Sequence, residues 1–171
     1  MAARSGDPVL DRLLRHMAWA NQATFKILEG LPTEHLELHA PKEPEWSVRE
    51  IACHLARSAD FYCWRIGAET AQWPFSEDAA GTPIPAMAEA LREYDVVLRG
   101  EAHKPDAPVT YVRDDGASVV RARSTILAQA VHHATEHRAQ MSGILAAHGI
   151  RAINLDEFDV WAHADAEGLG D

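Results

Sequence analysis

Apolar side chains return every third or fourth residue in four stretches of the chain, the spacing of a helix with one buried face. The first stretch opens at Asp7-Pro8, an N-cap acid followed by a proline at the first helical position. It carries Leu10, Leu13, Leu14, Met17, Ile27 and Leu28 as far as Gly30. Asn21 and Thr24 interrupt that stripe. They read either as polar groups satisfied inside a core or as the lining of a cavity. A second stretch begins at Trp46-Ser47 and presents Ile51, His54, Leu55, Ser58, Phe61, Tyr62 and Arg65 on one face, ending between Gly67 and Ala71. Ser47 and Glu50 make a capping box, in which each side chain satisfies a backbone donor that the first helical turn leaves open. A third stretch runs from Met87 through Leu91, Tyr94, Val97 and Leu98 to between Gly100 and Lys104. The fourth is capped by Ser124 and runs to Ala147, with Gly149 behind it. It places Ile126, Ala130, His133, His137, Met141, Ile144 and His148 on one side.

The connections are informative too. Pro32, Pro41 and Pro44 keep residues 31–45 from being regular helix, apart from a turn over Thr33–Leu38, and His35 and His39 are expected at the surface. Gln72–Pro85 reads as a loop, broken by Pro74, Gly81, Pro83 and Pro85. Val109–Val120 is β-prone on both sides of Asp115-Gly116, a hairpin signal. With no other strand candidate, that hairpin cannot be part of a core sheet. The tail, Asn154–Ala164, reads as a short helix or an extended cover over one end. The pattern predicts an all-α chain: a four-helix bundle forming one domain over residues 1–171, with a short β-hairpin between helices three and four. The long connections predict a topology less simple than up-down-up-down.

Composition narrows the function classes. The 16 Lys and Arg are scattered and the net charge is −10, which excludes a nucleic-acid surface built from a clustered basic face. No stretch approaches the ~20 apolar residues of a membrane span. Cys53 and Cys63 lie ten residues apart on one helix, roughly 15 Å along its axis. They cannot bridge each other, and two unpaired thiols fit a reducing compartment. Residues 1–10 lack the apolar core of a secretory signal. A cytoplasmic protein is expected.

The ten histidines carry the candidate chemistry. His133 and His137 are four apart, so they stand one turn above the other on the same helical face. Two imidazoles there suit one metal ion. Ten histidines in 171 residues also make chance pairs common, and spacing alone leaves a metal pair and crowded core histidines both open. A lone buried histidine such as His54 is usually structural. His132 points about 100° away from His133. His148 lies roughly 16 Å from His137, too far to share an ion. His16, His103 and His163 have no evident partners.

Three segments together carry a resemblance: Leu14-Arg15-His16-Met17-Ala18-Trp19-Ala20-Asn21, Trp46-Ser47-Val48-Arg49-Glu50-Ile51-Ala52-Cys53-His54-Leu55, and His133-Ala134-Thr135-Glu136-His137-Arg138-Ala139-Gln140. In this order, with Asp159-Val160-Trp161-Ala162 near the C-terminus, the chain resembles the DinB family of small metal-binding four-helix bundles, which includes bacterial thiol S-transferases. The resemblance implies that His54 joins His133 and His137 as the third metal ligand. It also implies a divalent ion, zinc or nickel before iron, with at least one coordination position open. Many relatives have Arg-Gly-Gln where this chain has Arg138-Ala139-Gln140. Arg138 and Gln140 are expected to point off the metal face and serve packing.

Three functions follow. The resemblance implies an S-transferase in which a low-molecular-weight thiol, such as bacillithiol or mycothiol, binds as thiolate and attacks an electrophile, in detoxification or a stress response. The order His133-x-x-Glu136-His137 would alternatively make Glu136 the general base of a metal-dependent hydrolase, although it lies on the flank of the histidine face. The third reading is a non-enzymatic metal-binding protein. Relatives often dimerise through helices, so a homodimer is expected. A cleft beside the ligands, lined by Asn21, Thr24, Tyr62 or Trp64, would favour chemistry.

Overall fold

The computed structural model describes residues 7–42, 45–67, 79–113 and 115–168. Residues 1–6, Pro44, the alternative helix end at Ala71 and the part of the Gln72–Pro85 loop through residue 78 lie outside them. Six helices and one hairpin follow in the order α1 (Pro8–Glu29), α2 (Thr33–Leu36), α3 (Val48–Arg65), α4 (Ile84–Glu101), β1 (Pro108–Val112), β2 (Ser118–Ala122), α5 (Arg123–Ala147) and α6 (Val160–Ala166), with a 3-10 turn at Leu155–Phe158.

Local chemistry sets most of the boundaries. Asp7 caps α1 by accepting from the backbone of Val9 and Leu10, with Pro8 behind it. The Ser47/Glu50 capping box is formed in full at the start of α3, and Gly67 follows that helix in the left-handed conformation, φ 76°. The hairpin pairs Pro108 with Ala122 through Val112 with Ser118, and Gly116 supplies the positive φ its turn requires. Two boundaries differ from expectation. α4 begins at Ile84, ahead of Met87, because Pro85 falls in its first turn, where the missing N–H costs nothing. Ser124 does not cap α5: Ala122 stands at the N-cap with no side-chain bond. The cap is supplied from across the hairpin by Asp106, whose carboxylate accepts from the Ser124 backbone at 2.9 Å and from its hydroxyl at 2.8 Å.

α1 packs on α4 and α5, and α3 packs on the same two helices. The four long helices therefore form a ring in the order α1, α4, α3, α5, with α1 diagonal to α3. That is not an up-down-up-down ring: the chain crosses the bundle between α1 and α3 by the connection after Gly30. The connection doubles back, Val48 donating to the Leu38 carbonyl at 3.0 Å, so His35 and His39 are half-buried and not at the surface. Leu14, Met17, Phe25, Leu28, Met87, Leu91, Leu98, Leu127, Met141 and Leu145 fill the core. Among the described residues no helix is long and apolar enough to cross a membrane.

Within this core lies one buried polar chain. Asn21 accepts from Arg138 at 2.6 Å and donates to Asp95 at 3.3 Å. Asn21 is thus a satisfied core polar group. Thr24 is also buried, and its hydroxyl has no partner among the described residues. Burial raises the Asp95 carboxyl to about 7, against the pull of the Asn21 bond and the Arg138 charge.

Candidate metal centre

The capping box fixes where α3 begins, and His54 follows about two turns later on the side facing α5. His133 and His137 stand on the opposing face of α5. The three imidazoles meet between the helices. The Nε2 atoms of His54 and His133 are 3.1 Å apart, and those of His133 and His137 are 3.0 Å apart. One ring nitrogen from each residue lies within 4.8 Å of the other two, a grouping that could hold a metal ion.

The donor set fits such an ion. Nitrogens about 2.0–2.1 Å from a tetrahedral zinc ion stand roughly 3.3–3.4 Å apart around it, a few tenths of an ångström more than the two separations here. Burial, and the charge of His137, push the His54 imidazole down to about 4, and burial does the same to His133. Both rings are therefore neutral at pH 7, and a neutral ring has one nitrogen lone pair to give. For His137 the tautomer follows from a neighbour. The amide oxygen of Gln140 accepts from His137 Nδ1–H at 2.6 Å, which leaves the lone pair on Nε2, toward the cluster.

Gln140 corrects the sequence reading, which had it pointing off the metal face for packing. One turn of helix lets a long side chain reach back over the ring three residues before it. Arg138 does point away, into the core chain with Asn21 and Asp95. His133 Nδ1 is buried and has no partner among the described residues.

Aromatic rings wall the cluster. The Trp46 ring centroid is 4.5 Å from that of His54 and 6.0 Å from that of His137, and Tyr62 meets His133 edge to face at 5.7 Å. Ser58 places its hydroxyl 3.4 Å from His54 Nε2. A cavity of about 650 Å³ opens beside His54, lined among others by Trp46, Cys53, Arg57, Ser58 and Phe61. The cleft expected from Asn21, Thr24, Tyr62 or Trp64 is present only in small part: Asn21 and Tyr62 line, with His133, a separate space of about 10 Å³. Tyr62 alone of that set touches a cluster histidine. Trp46 and Arg57 went unnoticed as lining, although both sit within one turn of the Ser47 cap or of His54 itself.

The remaining candidates stay apart from the cluster. His132 and Glu136 are exposed. His148 bonds the His39 carbonyl at 2.9 Å. His16, His103 and His163 do have partners: His16 Nε2 donates to the Phe158 carbonyl at 2.7 Å, His103 Nε2 lies 3.7 Å from an Asp11 carboxylate oxygen, and the His163 ring lies 5.3 Å from Trp19. Cys63 is buried and its thiol is pushed up to about 12, so it is not a nucleophile at neutral pH.

A family model described as the DinB family matches residues 4–167. No curated protein and no solved structure matches the chain.

Proposed function

The chain belongs to the DinB family, and on that premise we propose that it holds a divalent metal ion on His54, His133 and His137 and transfers a low-molecular-weight thiol to an electrophile. The observation that carries the reading is the convergence of three imidazole nitrogens, at 3.0 and 3.1 Å, beside an open cavity. Zinc and nickel both accept imidazole ligands.

When bound, a divalent ion here supplies Lewis acidity that lowers the pKa of a thiol and keeps it as thiolate at neutral pH. The chain's own side chains do the rest. Gln140 holds the His137 ring in the tautomer that offers Nε2. Trp46 and Tyr62 pack their rings against two sides of the cluster. The cavity beside His54, about 650 Å³, is within the range that takes drug-sized ligands, enough for a thiol and a co-substrate side by side. Arg57 lines it together with Arg49, Glu37 and Glu50, and its positive charge is felt at His54.

The test is thioether formation from bacillithiol or mycothiol and a bimane electrophile, with the protein stripped of metal and then reloaded with zinc or nickel. Product should require metal and disappear in His54→Ala. A metal-loaded protein that forms no thioether with either thiol would sink the transferase reading and leave the metal site standing. No observation favours Glu136 as a hydrolytic base, since it is exposed on the flank of α5.

A further inference from the structure

All four long helices meet at the small space beside the histidine cluster, about 10 Å³ and so room for about one water molecule. Asn21 from α1, Tyr62 from α3, Asp95 from α4 and His133 from α5 line it among apolar neighbours. Most of their polar atoms are paired. Asn21 Oδ1 accepts from Arg138, and its Nδ2 donates to Asp95 Oδ2 at 3.3 Å. Tyr62 bonds the Gln129 side chain. Arg138 and Arg99 both act on the Asp95 carboxylate, so its charge is met. Two atoms are left over. Asp95 Oδ1 and His133 Nδ1 are each buried and have no hydrogen-bond partner among the described residues. A buried polar atom without a hydrogen bond is rare and costly. Here two of them belong to residues that line one small space, and a single molecule can satisfy both.

Water is the molecule that fits. It donates to a carboxylate oxygen, and it either accepts from or donates to an imidazole nitrogen, so it serves His133 in either neutral tautomer. Asn21 bears a second N–H on Nδ2 as a third contact, and a buried water makes about three hydrogen bonds. We propose that this space holds one structural water that bridges Asp95 Oδ1 to His133 Nδ1, which makes Asp95 a positioning residue for the His133 ring. The positioning role rests on the reading of His133 as a metal ligand; the water does not. An ion on Nε2 puts the ring's proton on Nδ1, and the water then accepts it and ties the ring's orientation to a fixed carboxylate. His137 has the same support directly, from Gln140 at 2.6 Å. The two ligands on α5 are thus held by outer partners of different reach.

The first test is a crystal structure of the full, metal-free chain that places ordered solvent. Electron density for one water within about 3.2 Å of both His133 Nδ1 and Asp95 Oδ1 is expected. A dry space, or a water that reaches only one of the two atoms, would overturn the proposal. The second test reads the positioning role in the zinc-loaded protein, by nitrogen NMR of the histidine rings and by competition with a chromogenic chelator. Asp95→Asn keeps a hydrogen-bonding atom toward the water and should leave both readouts near wild type. Asp95→Leu removes it. Zinc affinity should then fall about tenfold, the low end of the loss of an outer partner, and the His133 Nδ1–H resonance should move while that of His137, held by Gln140, stays in place. An equal loss in Asp95→Asn, a shift of both rings together, or an unmoved His133 resonance would overturn the positioning role. If Asp95→Leu does not fold, Ala59→Val, which crowds the same space from α3, is measured in its place with the same expectations. A wild-type chain that binds no zinc would remove the metal site and the positioning role with it, and the density in the metal-free crystal still decides the water.

Discussion

Two groups of histidines are packed into this bundle, and they are put to opposite uses. At the α1–α6 end, His16 and His163 lie with Trp19 and Phe158 in a cluster of tilted and edge-on rings. There the His16 ring donates to a backbone carbonyl, so its proton is placed and its burial is satisfied. Between α3 and α5, His54, His133 and His137 point Nε2 atoms at one another, and among the described residues no carbonyl or carboxylate bonds those nitrogens. Burial and aromatic contact are common to both groups. What differs is the direction of the lone pairs. A histidine aimed at a carbonyl closes a structure, and three aimed at one point form a group that could hold a metal ion.

The comparison breaks most sharply under substitution of the rings themselves. His133→Ala or His137→Ala should lower affinity for zinc or nickel by more than the about 10–100-fold typical of losing an outer-shell partner, read by competition with a chromogenic chelator. His16→Ala should leave that affinity intact and instead cost about 1–3 kcal/mol in urea unfolding, because the Phe158 carbonyl loses its donor. Equal metal loss in both groups would mean that convergence of nitrogens is not what distinguishes them.

Gln140→Ala gives an intermediate effect. It removes the acceptor that fixes the His137 tautomer, so metal affinity should fall about 10–100-fold with little change in thermal unfolding of the metal-free protein. Gln140→Glu should retain most of the affinity, since a carboxylate accepts from Nδ1–H at least as well.

The two groups differ also in pH dependence. His54 and His133 are held down to about 4 in the folded chain, against 6.5 unfolded. The unfolded chain therefore binds more protons between these values, and stability must fall as pH falls through that window. The contribution is fully present above about 6.5. Melting temperatures of the metal-free protein should decline from pH 6.5 toward 4, and the decline should be shallower in His54→Ala/His133→Ala. An unchanged slope in the double variant would assign the pH response to other groups.

What could be read from the sequence was whatever depends on near neighbours. The Asp7-Pro8 start, the Ser47/Glu50 box, the Asp115-Gly116 turn and the four-residue step from His133 to His137 are all local, and the structure contains each of them. His54 could be attached to the pair only through the family resemblance, since nothing in spacing brings residue 54 to residue 133. The partners that were missed are of two kinds. Asp106 replaces Ser124 as the cap of α5 from 18 residues away, and Asn21 reaches Asp95 and Arg138 across three helices. No periodicity encodes such meetings. Gln140 is a nearer case: its three-residue spacing from His137 is visible in the sequence, but spacing alone does not show that its side chain reaches back to the His137 ring.

The Asp106 contact has a practical side. With Arg123 N–H donating to the Ala107 carbonyl at 3.0 Å, it clasps the two ends of the hairpin where they leave the bundle. The hairpin is anchored to α3 through Tyr111, which meets Trp64 and the Arg65 guanidinium. Beyond Val112 the tip faces solvent. The chain is thus already closed below the turn at Gly116, and whatever is done to that turn is isolated from the helices by the clasp. An epitope, a fluorescent peptide or a protease site spliced in beside Gly116 would be carried as a pendant.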